Sequence, residues 1–351
     1  MTQQLDRSTL ANILRSDDVE TLSFPDLVKL FREEVDDFLP DGVYQIDPRN
    51  GDRVVYHSRR SRRPHDNAPS PSEIPERECA ICRGNTTGVI DVADLSEGFT
   101  FINENLFPVL YPFEFEEREQ EQAYGLHFLQ WTSSQHGKDW HNLAVSDCVI
   151  VMERLAALEK VLLTEAPKDR EGFVVMIKNY GRLVGGSLSH AHQQIAFSNV
   201  MPRHFQDNQR FEEEHKETFS AYLLRENPSE LMIKDYGPAV LMVPYFMRRP
   251  YDMILLIKDA DKQYLHQLNE KEIEVTAAGW RDAARAFYEI MPRIGREVAY
   301  NVIVSNGPGA GLYFEFLPHT QEIGGMEHLG LFVCQELPEI AADRLRKFLE
   351  R

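Results

Sequence analysis

The residue types best suited to chemistry lie in the run Gly185-Gly186-Ser187-Leu188-Ser189-His190-Ala191-His192-Gln193-Gln194-Ile195. An apolar run, Phe173-Val174-Val175-Met176-Ile177, precedes it and reads as a buried strand closed by a turn at Asn179-Tyr180-Gly181. Residues 190, 192 and 194 then alternate on a second extended segment, so a period of two puts their side chains on one face. Two imidazoles and a carboxamide in one row, beside a glycine pair, suit phosphate chemistry. The glycines let backbone approach a bound group, while N–H groups and the Ser187 hydroxyl meet phosphate oxygens. One imidazole can attack phosphorus, and the Gln194 amide can donate to a phosphoryl oxygen as charge builds there. A solvated polar face would account for a lone His pair, but not for the glycines, the apolar strand and the glutamine together.

Composition narrows the setting. The chain has 351 residues, enough for one large domain or two medium ones. A formal charge of −18 opposes non-specific binding to nucleic acid or anionic lipid, so neither is an expected partner. No apolar run is long enough to span a membrane, and the N-terminus shows no secretory pattern. With 4 cysteines a disulfide scaffold is not expected, and a reducing cytoplasm fits best.

The elements that must position this row read as follows. Residues 1 to about 40 are expected to be helical, with Asp17-Asp18 as a cap and Leu27, Leu30, Phe31 and Val35 at helical spacing. Residues 43–57 read as a β-hairpin turning at Asn50-Gly51. The basic run Ser58-Arg59-Arg60-Ser61-Arg62-Arg63-Pro64 is either a solvated surface or a phosphate clamp built from guanidinium forks. Cys79-Ala80-Ile81-Cys82 is a redox pair, half of a zinc site or an accident of sequence, and zinc would need two more ligands. Strands are expected at 101–107 and 125–131, then a helix running through Lys160 and a charged surface helix over 203–230. The second half repeats strand, helix, strand, strand, with strands at 240–245, 251–257 and 300–305 and a helix at 270–290. Where the first half has His-Ala-His, the second has Gly311-Leu312-Tyr313.

Taken together, these segments resemble the galactose-1-phosphate uridylyltransferase family of the histidine-triad superfamily. The pieces that carry the resemblance stand in the family's order from about Val43 onward. They are Arg60 to Pro64, the Cys-x-x-Cys, Glu104-Asn105-Leu106-Phe107-Pro108, Gly125-Leu126-His127, Ser133-Ser134-Gln135-His136 and His190-Ala191-His192-Gln193-Gln194, with Gly324-Gly325-Met326-Glu327 and Leu337 to Ala342 at the end. The family's proline is missing between His190 and His192 and before His136, and its second-half His-x-His-x-Glu corresponds to Gly311-Leu312-Tyr313-Phe314-Glu315.

The resemblance implies an α+β fold of two tandem histidine-triad-like repeats, mainly antiparallel sheets with flanking helices. Residues 1–40 would be a helical extension, 41–202 the repeat with the active site and zinc, and 203–351 a degenerate repeat. It implies a structural Zn²⁺ on Cys79, Cys82, His136 and His190, and no second, iron-type site. His192 would attack the α-phosphorus of a nucleotide sugar, with Gln194 stabilising the phosphoryl oxygens and Ser187 near the α-phosphate. Arg60, Arg63, Asn105, Asn179 and Gly186 would contact nucleotide or phosphate. The implied activity is that of a UDP-glucose:hexose-1-phosphate uridylyltransferase, acting on a nucleotide sugar and a sugar phosphate, as a homodimer. The alternatives are an ADP-glucose or dinucleoside-polyphosphate phosphorylase, or a zinc-stabilised nucleotide-binding protein without turnover.

Overall fold

The strand Gly125–Trp131 is buried at every residue, the polar His127 and Gln130 included. It lies at the centre of the first of two compact units in the computed structural model, which describes residues 4–35, 38–59, 79–114, 122–164, 166 and 172–350. Unit 1 comprises Met1–Lys138, Glu153–Met176 and Ser187–Asp207, and unit 2 comprises Asp139–Met152, Ile177–Gly186 and Asn208–Arg351. The α+β class is as expected: both units are built on antiparallel strands with helices. No helix among the described residues is long and apolar enough to cross a membrane.

In unit 1 the hairpin β1 (Tyr44–Ile46) and β2 (Arg53–Val55) forms where expected, with Gly51 at φ 77° in its turn. The larger sheet contains β3 (Val89–Asp94), β4 (Phe99–Glu104), β5 (Gly125–Trp131) and β7 (His192–Ser198), neighbours in that order and antiparallel throughout. The strand β6 is Phe173–Tyr180, three residues longer than its expected end at Ile177, so the turn begins only at Gly181, whose φ is 91°. Within the element sequence, β6 starts in unit 1 and ends in unit 2.

The N-terminal residues form α1 (Arg7–Ile13) and α2 (Phe24–Glu34). The expected cap at Asp17-Asp18 is corrected: α2 starts from Ser23 in a reciprocal capping box with Asp26, while Asp18 caps a short turn at Val19–Thr21. Both fit the same rule, since each supplies a side-chain oxygen to an otherwise unpaired N–H. Leu27, Phe31 and Val35 are fully buried, as their spacing requires. Asp18 also accepts from Arg154 at 2.7 Å, and the Arg154 Nε donates to the buried Asp91 at 2.9 Å. The Val19 N–H donates to Asp91 at 2.9 Å, so the buried carboxylate is both paired and hydrogen-bonded.

Unit 2 carries β8 (Met232–Asp235), β9 (Ala239–Met242), β10 (Met253–Ile257), β11 (Tyr300–Ser305) and β12 (Tyr313–Pro318), in the order β11-β12-β10-β9-β8. The helix α3 (Val145–Thr164) precedes β6, and α6 (Glu270–Arg293), capped by Asn269, precedes β11. The single helix expected over 203–230 is instead two, α4 (Arg203–His215) and α5 (Phe219–Glu226). Lys216 at φ 62° breaks the run and Thr218 caps the second helix. Two further helices, α7 (Gly325–His328) and α8 (Pro338–Leu349), close the chain.

Glu104 ends β4 fully buried, and neither carboxylate oxygen has a hydrogen-bond partner among the described residues. Burial pushes its pKa up to about 8 from 4.5, with the charge of Glu34 acting in the same direction. The folded chain therefore keeps a proton that the unfolded chain releases, so stability present at acid pH is lost as pH rises from the unfolded value through the folded one. In urea unfolding, Glu104→Gln should remove this loss and gain on the order of a few kcal/mol over wild type between about pH 5 and about pH 9. A variant whose stability runs parallel to wild type over that range would contradict the assignment.

Candidate active site

The pairing of β5 with β7 sets Trp131 opposite His192, Leu129 opposite Gln194 and His127 opposite Ala196. Between them, Gln193 points to the other face, donates to Gln130 Oε1 at 2.7 Å and accepts from the Thr132 hydroxyl at 3.2 Å. All three of these polar residues are buried, so a slip of one residue would break these hydrogen bonds and leave buried polar groups unpaired. This register places His192 and Gln194 together on one face. The expectation that His190 shares this face is corrected: it lies just before the strand, which opens at His192, so the alternation does not reach it.

That step out of the strand gives the two imidazoles different surroundings. The His192 Nδ1 lies 2.8 Å from the carbonyl oxygen of His190, so this nitrogen carries the proton and Nε2 carries the lone pair of the neutral ring. The ring sits 4.9 Å from that of Trp131, whose indole N–H donates to Asn103 at 2.7 Å. His192 lines a cavity of about 220 Å³ with Asn85, Asn103, Asn105, Ser187 and Gln194 among the polar lining, and Ile81, Phe107 and Leu188 among the apolar. The Gln194 carboxamide oxygen is 3.1 Å from His127 Nε2.

His190 turns the other way. Its Nδ1 lies 3.6 Å from the Cys79 sulfur and 3.5 Å from that of Cys82, and the His136 Nδ1 lies 3.6 Å from Cys82. All four ligand atoms fall within 4.8 Å of one another. Ligands about 2.0–2.3 Å from a tetrahedral centre stand about 3.3–3.8 Å apart, so these spacings fit zinc. The donor set fits too: the His190 Nε2–H donates to the Ser133 carbonyl at 2.8 Å, and His136 Nε2 meets the Ser189 hydroxyl at 3.3 Å. The carbonyl partner leaves the His190 Nδ1 as an acceptor for a metal, and the hydroxyl can accept from His136 Nε2 to do the same for its Nδ1. The Cys79 thiol is held well below its usual pKa, first by Cys82 and then, against the cost of burial, by the two imidazoles.

Local sequence explains how the thiols reach this point. Residues 79–85 form one tight turn, with Arg83 and Asn85 N–H groups bonded to the Ala80 carbonyl and the Gly84 N–H to that of Ile81. Gly84 closes it at φ 73°, where a β-carbon would meet Thr9 of α1 at 2.3 Å. On the other side, Leu5 donates its N–H to the Ser134 carbonyl at 3.0 Å and packs in the same apolar cluster as Cys79, Ile81 and Trp131. The N-terminal residues therefore support the loop that carries His136.

Of the residues expected at the site, Ser187, Asn105, His192 and Gln194 share the cavity, and Cys79, Cys82, His136 and His190 form the ligand group beside it. Asn179 and Gly186 fall in unit 2, where the Asn179 carboxamide oxygen accepts from Asn301 at 2.7 Å and Gly186 packs over the Gly181 carbonyl. Arg60 and Arg63 lie outside the described residues. Sequence reasoning missed Asn85, Asn103 and Trp131. The available signal was a polar residue, Asn103, directly after the apolar Phe101-Ile102.

No protein-family model matches the chain. A curated relative, ADP-glucose phosphorylase of Arabidopsis thaliana, is 21% identical over 337 residues, which is 86% of this chain and 91% of that protein. Among solved structures, a uridylyltransferase superposes with TM-score 0.70 at 19% identity, covering 88% of this chain and 98% of its own. The crystal structure of an ADP-glucose phosphorylase from Arabidopsis thaliana with bound ADP-glucose gives TM-score 0.65 at 16% identity, covering 87% and 98%. The resemblance to the galactose-1-phosphate uridylyltransferase family is thus borne out in the fold.

Protein purified without chelator should carry about one equivalent of zinc per chain by mass spectrometry, as a closed Cys₂His₂ set requires. Cys82→Ala should fall below about half an equivalent and unfold at a lower temperature. Wild-type protein holding less than about half an equivalent would refute the structural zinc site.

Proposed function

We propose that this protein transfers a nucleoside monophosphate from a nucleotide sugar to a phosphate acceptor through a covalent nucleotidyl-His192. The observation that carries the reading is the hydrogen bond from His192 Nδ1 to the His190 carbonyl, made by a ring that lines a cavity. It fixes the tautomer, so that the nucleophilic nitrogen is unprotonated, and it holds the ring's aim.

In the first step the Nε2 lone pair forms a bond to the α-phosphorus and the bond from that phosphorus to the bridging oxygen breaks. Sugar 1-phosphate leaves with the electron pair, and the imidazole, now bonded at both nitrogens, carries positive charge. The His190 carbonyl faces that charge across the Nδ1–H bond and stabilises it. In the second step an oxygen of the acceptor phosphate attacks the same phosphorus and the P–N bond breaks, restoring the neutral ring. Gln194 donates to the phosphoryl oxygens without offering a transferable proton, which favours a phosphate acceptor over hydrolysis. Zinc held by Cys79, Cys82, His136 and His190 would supply structure only, fixing the residue whose carbonyl orients His192.

Hexose 1-phosphate as acceptor and UDP-glucose as donor make the protein a hexose-1-phosphate uridylyltransferase, with a nucleotide sugar and a sugar phosphate as its partners. A second reading, ADP-glucose with inorganic phosphate as acceptor, is favoured by the curated relative, an ADP-glucose phosphorylase.

Incubation with UDP-glucose or ADP-glucose, each radiolabelled at the α-phosphate, separates the two readings. The true donor should leave an acid-labile, base-stable label on the protein and release glucose 1-phosphate. His192→Gly should abolish the label, and Gln194→Leu should slow labelling by about 10²–10³-fold. A label retained in His192→Gly would overturn the choice of nucleophile.

A further inference from the structure

We infer that His127 is a positioning residue that sets which end of the Gln194 carboxamide faces the reacting phosphorus; this rests on the nucleotidyl-transfer reading. A glutamine beside a phosphoryl group helps only in one of its two orientations. With its NH₂ forward it stabilises the growing negative charge, and with its carbonyl forward it repels that charge. Rotation by half a turn about the last side-chain bond exchanges the two, and an amide held only by solvent would populate both.

The structure removes that freedom. His127 is 2% exposed and does not itself line the cavity. Its Nδ1 accepts the backbone N–H of Val109 at 3.1 Å, and its own carbonyl accepts the Asn105 N–H at 2.8 Å. A backbone donor at Nδ1 places the proton of the neutral ring on Nε2. That Nε2–H needs an acceptor, and the Gln194 Oε1 supplies one at 3.1 Å. Asn105 cannot serve instead: its oxygen takes the Phe107 N–H at 2.9 Å, so its NH₂ is the end against the imidazole, 3.3 and 3.4 Å from the two ring nitrogens. A flipped Gln194 would replace this acceptor by a second NH₂, beside that of Asn105, and set donor against donor at the Nε2–H. The chain Val109 N–H to Nδ1, then Nε2–H to Oε1, therefore leaves the Gln194 NH₂ on the arm of the carboxamide that is free for a phosphoryl oxygen.

The register makes this relay possible. His127 and Gln194 are diagonal neighbours on one face of the β5–β7 pair, since Leu129 is the residue directly opposite Gln194. The loop that follows β4 returns past His127, and its Val109 N–H locks the ring from behind.

A double-mutant cycle tests this, with covalent labelling of His192 as the readout. His127→Leu should slow labelling by about 10²-fold while the donor KM stays within about threefold, because an orientation that matters in the transition state is lost. His127→Gln, which can place a donor near the Nε2 position, should recover at least about tenfold of that loss. In a Gln194→Leu background, His127→Leu should cost less than about twofold more, since its partner is already gone. Independent, multiplying losses would overturn the relay, as would a loss confined to KM. A second measurement holds even if no nucleotide sugar labels the wild-type protein and the transfer reading fails. Ring ¹⁵N shifts of His127 should report protonated Nε2 and bare Nδ1; the opposite tautomer would overturn the proposal.

Discussion

One hydrogen bond, from the His192 ring to the carbonyl two residues before it, is the constraint on which the site depends. A strand sends side chains to alternate faces and keeps its carbonyls in the sheet, so a ring at position i cannot ordinarily reach the carbonyl of i−2. Here the strand opens only at His192, leaving His190 outside the ladder with its carbonyl available. The cost is an irregular segment in a buried place, and the ligand group offsets it. His190 is held by its own Nε2 to Ser133 and by its Nδ1 among the thiols. The two histidines are thus one device: the first is immobilised so that the second can be aimed.

Support for that device comes from residues far apart in sequence. Trp131 lies edge-on to the His190 ring and at a tilt to that of His192, and its N–H is anchored on Asn103. Asn103 in turn donates to Thr86 and Thr87, just beyond the Cys-x-x-Cys turn. From the other side, Gln4 and Leu5 tie down the loop at Ser134. A stretch that reads as an N-terminal appendage is therefore part of the wall behind the ligand group.

How much of this was legible follows from which interactions are local. The shared face of His192 and Gln194, the hairpin at Gly51, β5 and α6 could be read because periodicity and turn chemistry are written in adjacent residues, whereas His190, expected in the same row, lies outside the strand. The four ligands were legible only through resemblance, since nothing in the spacing of Cys82, His136 and His190 says that three distant segments converge. The start of α2 was misplaced because Asp18 and Ser23 are equally good caps, and only packing of Leu27 and Phe31 chooses between them. The break at Lys216 and the relay through His127 were invisible for a similar reason. One is a single backbone angle, and the other depends on Val109, which lies 18 positions away.

The chemistry of the cavity wall also bears on the contrast between a chain of net charge −18 and the anionic substrate proposed for it. No lysine or arginine is among the described residues that line the cavity; beside the Glu104 carboxyl, its polar groups are carboxamides and hydroxyls, from Asn85, Thr86, Asn103, Asn105, Ser187 and Gln194. Neutral donors suit a reaction whose charge moves twice. A fixed cation would bind substrate, intermediate and product alike, which lowers the free energy of every state without lowering the barrier between them. An amide held in one orientation contributes most where charge peaks, at the crowded phosphorus, and releases the product when the charge spreads again. Rigid neutral dipoles therefore demand what this fold provides, a wall in which the amides of Asn103, Asn105 and Gln194 each have a partner behind them.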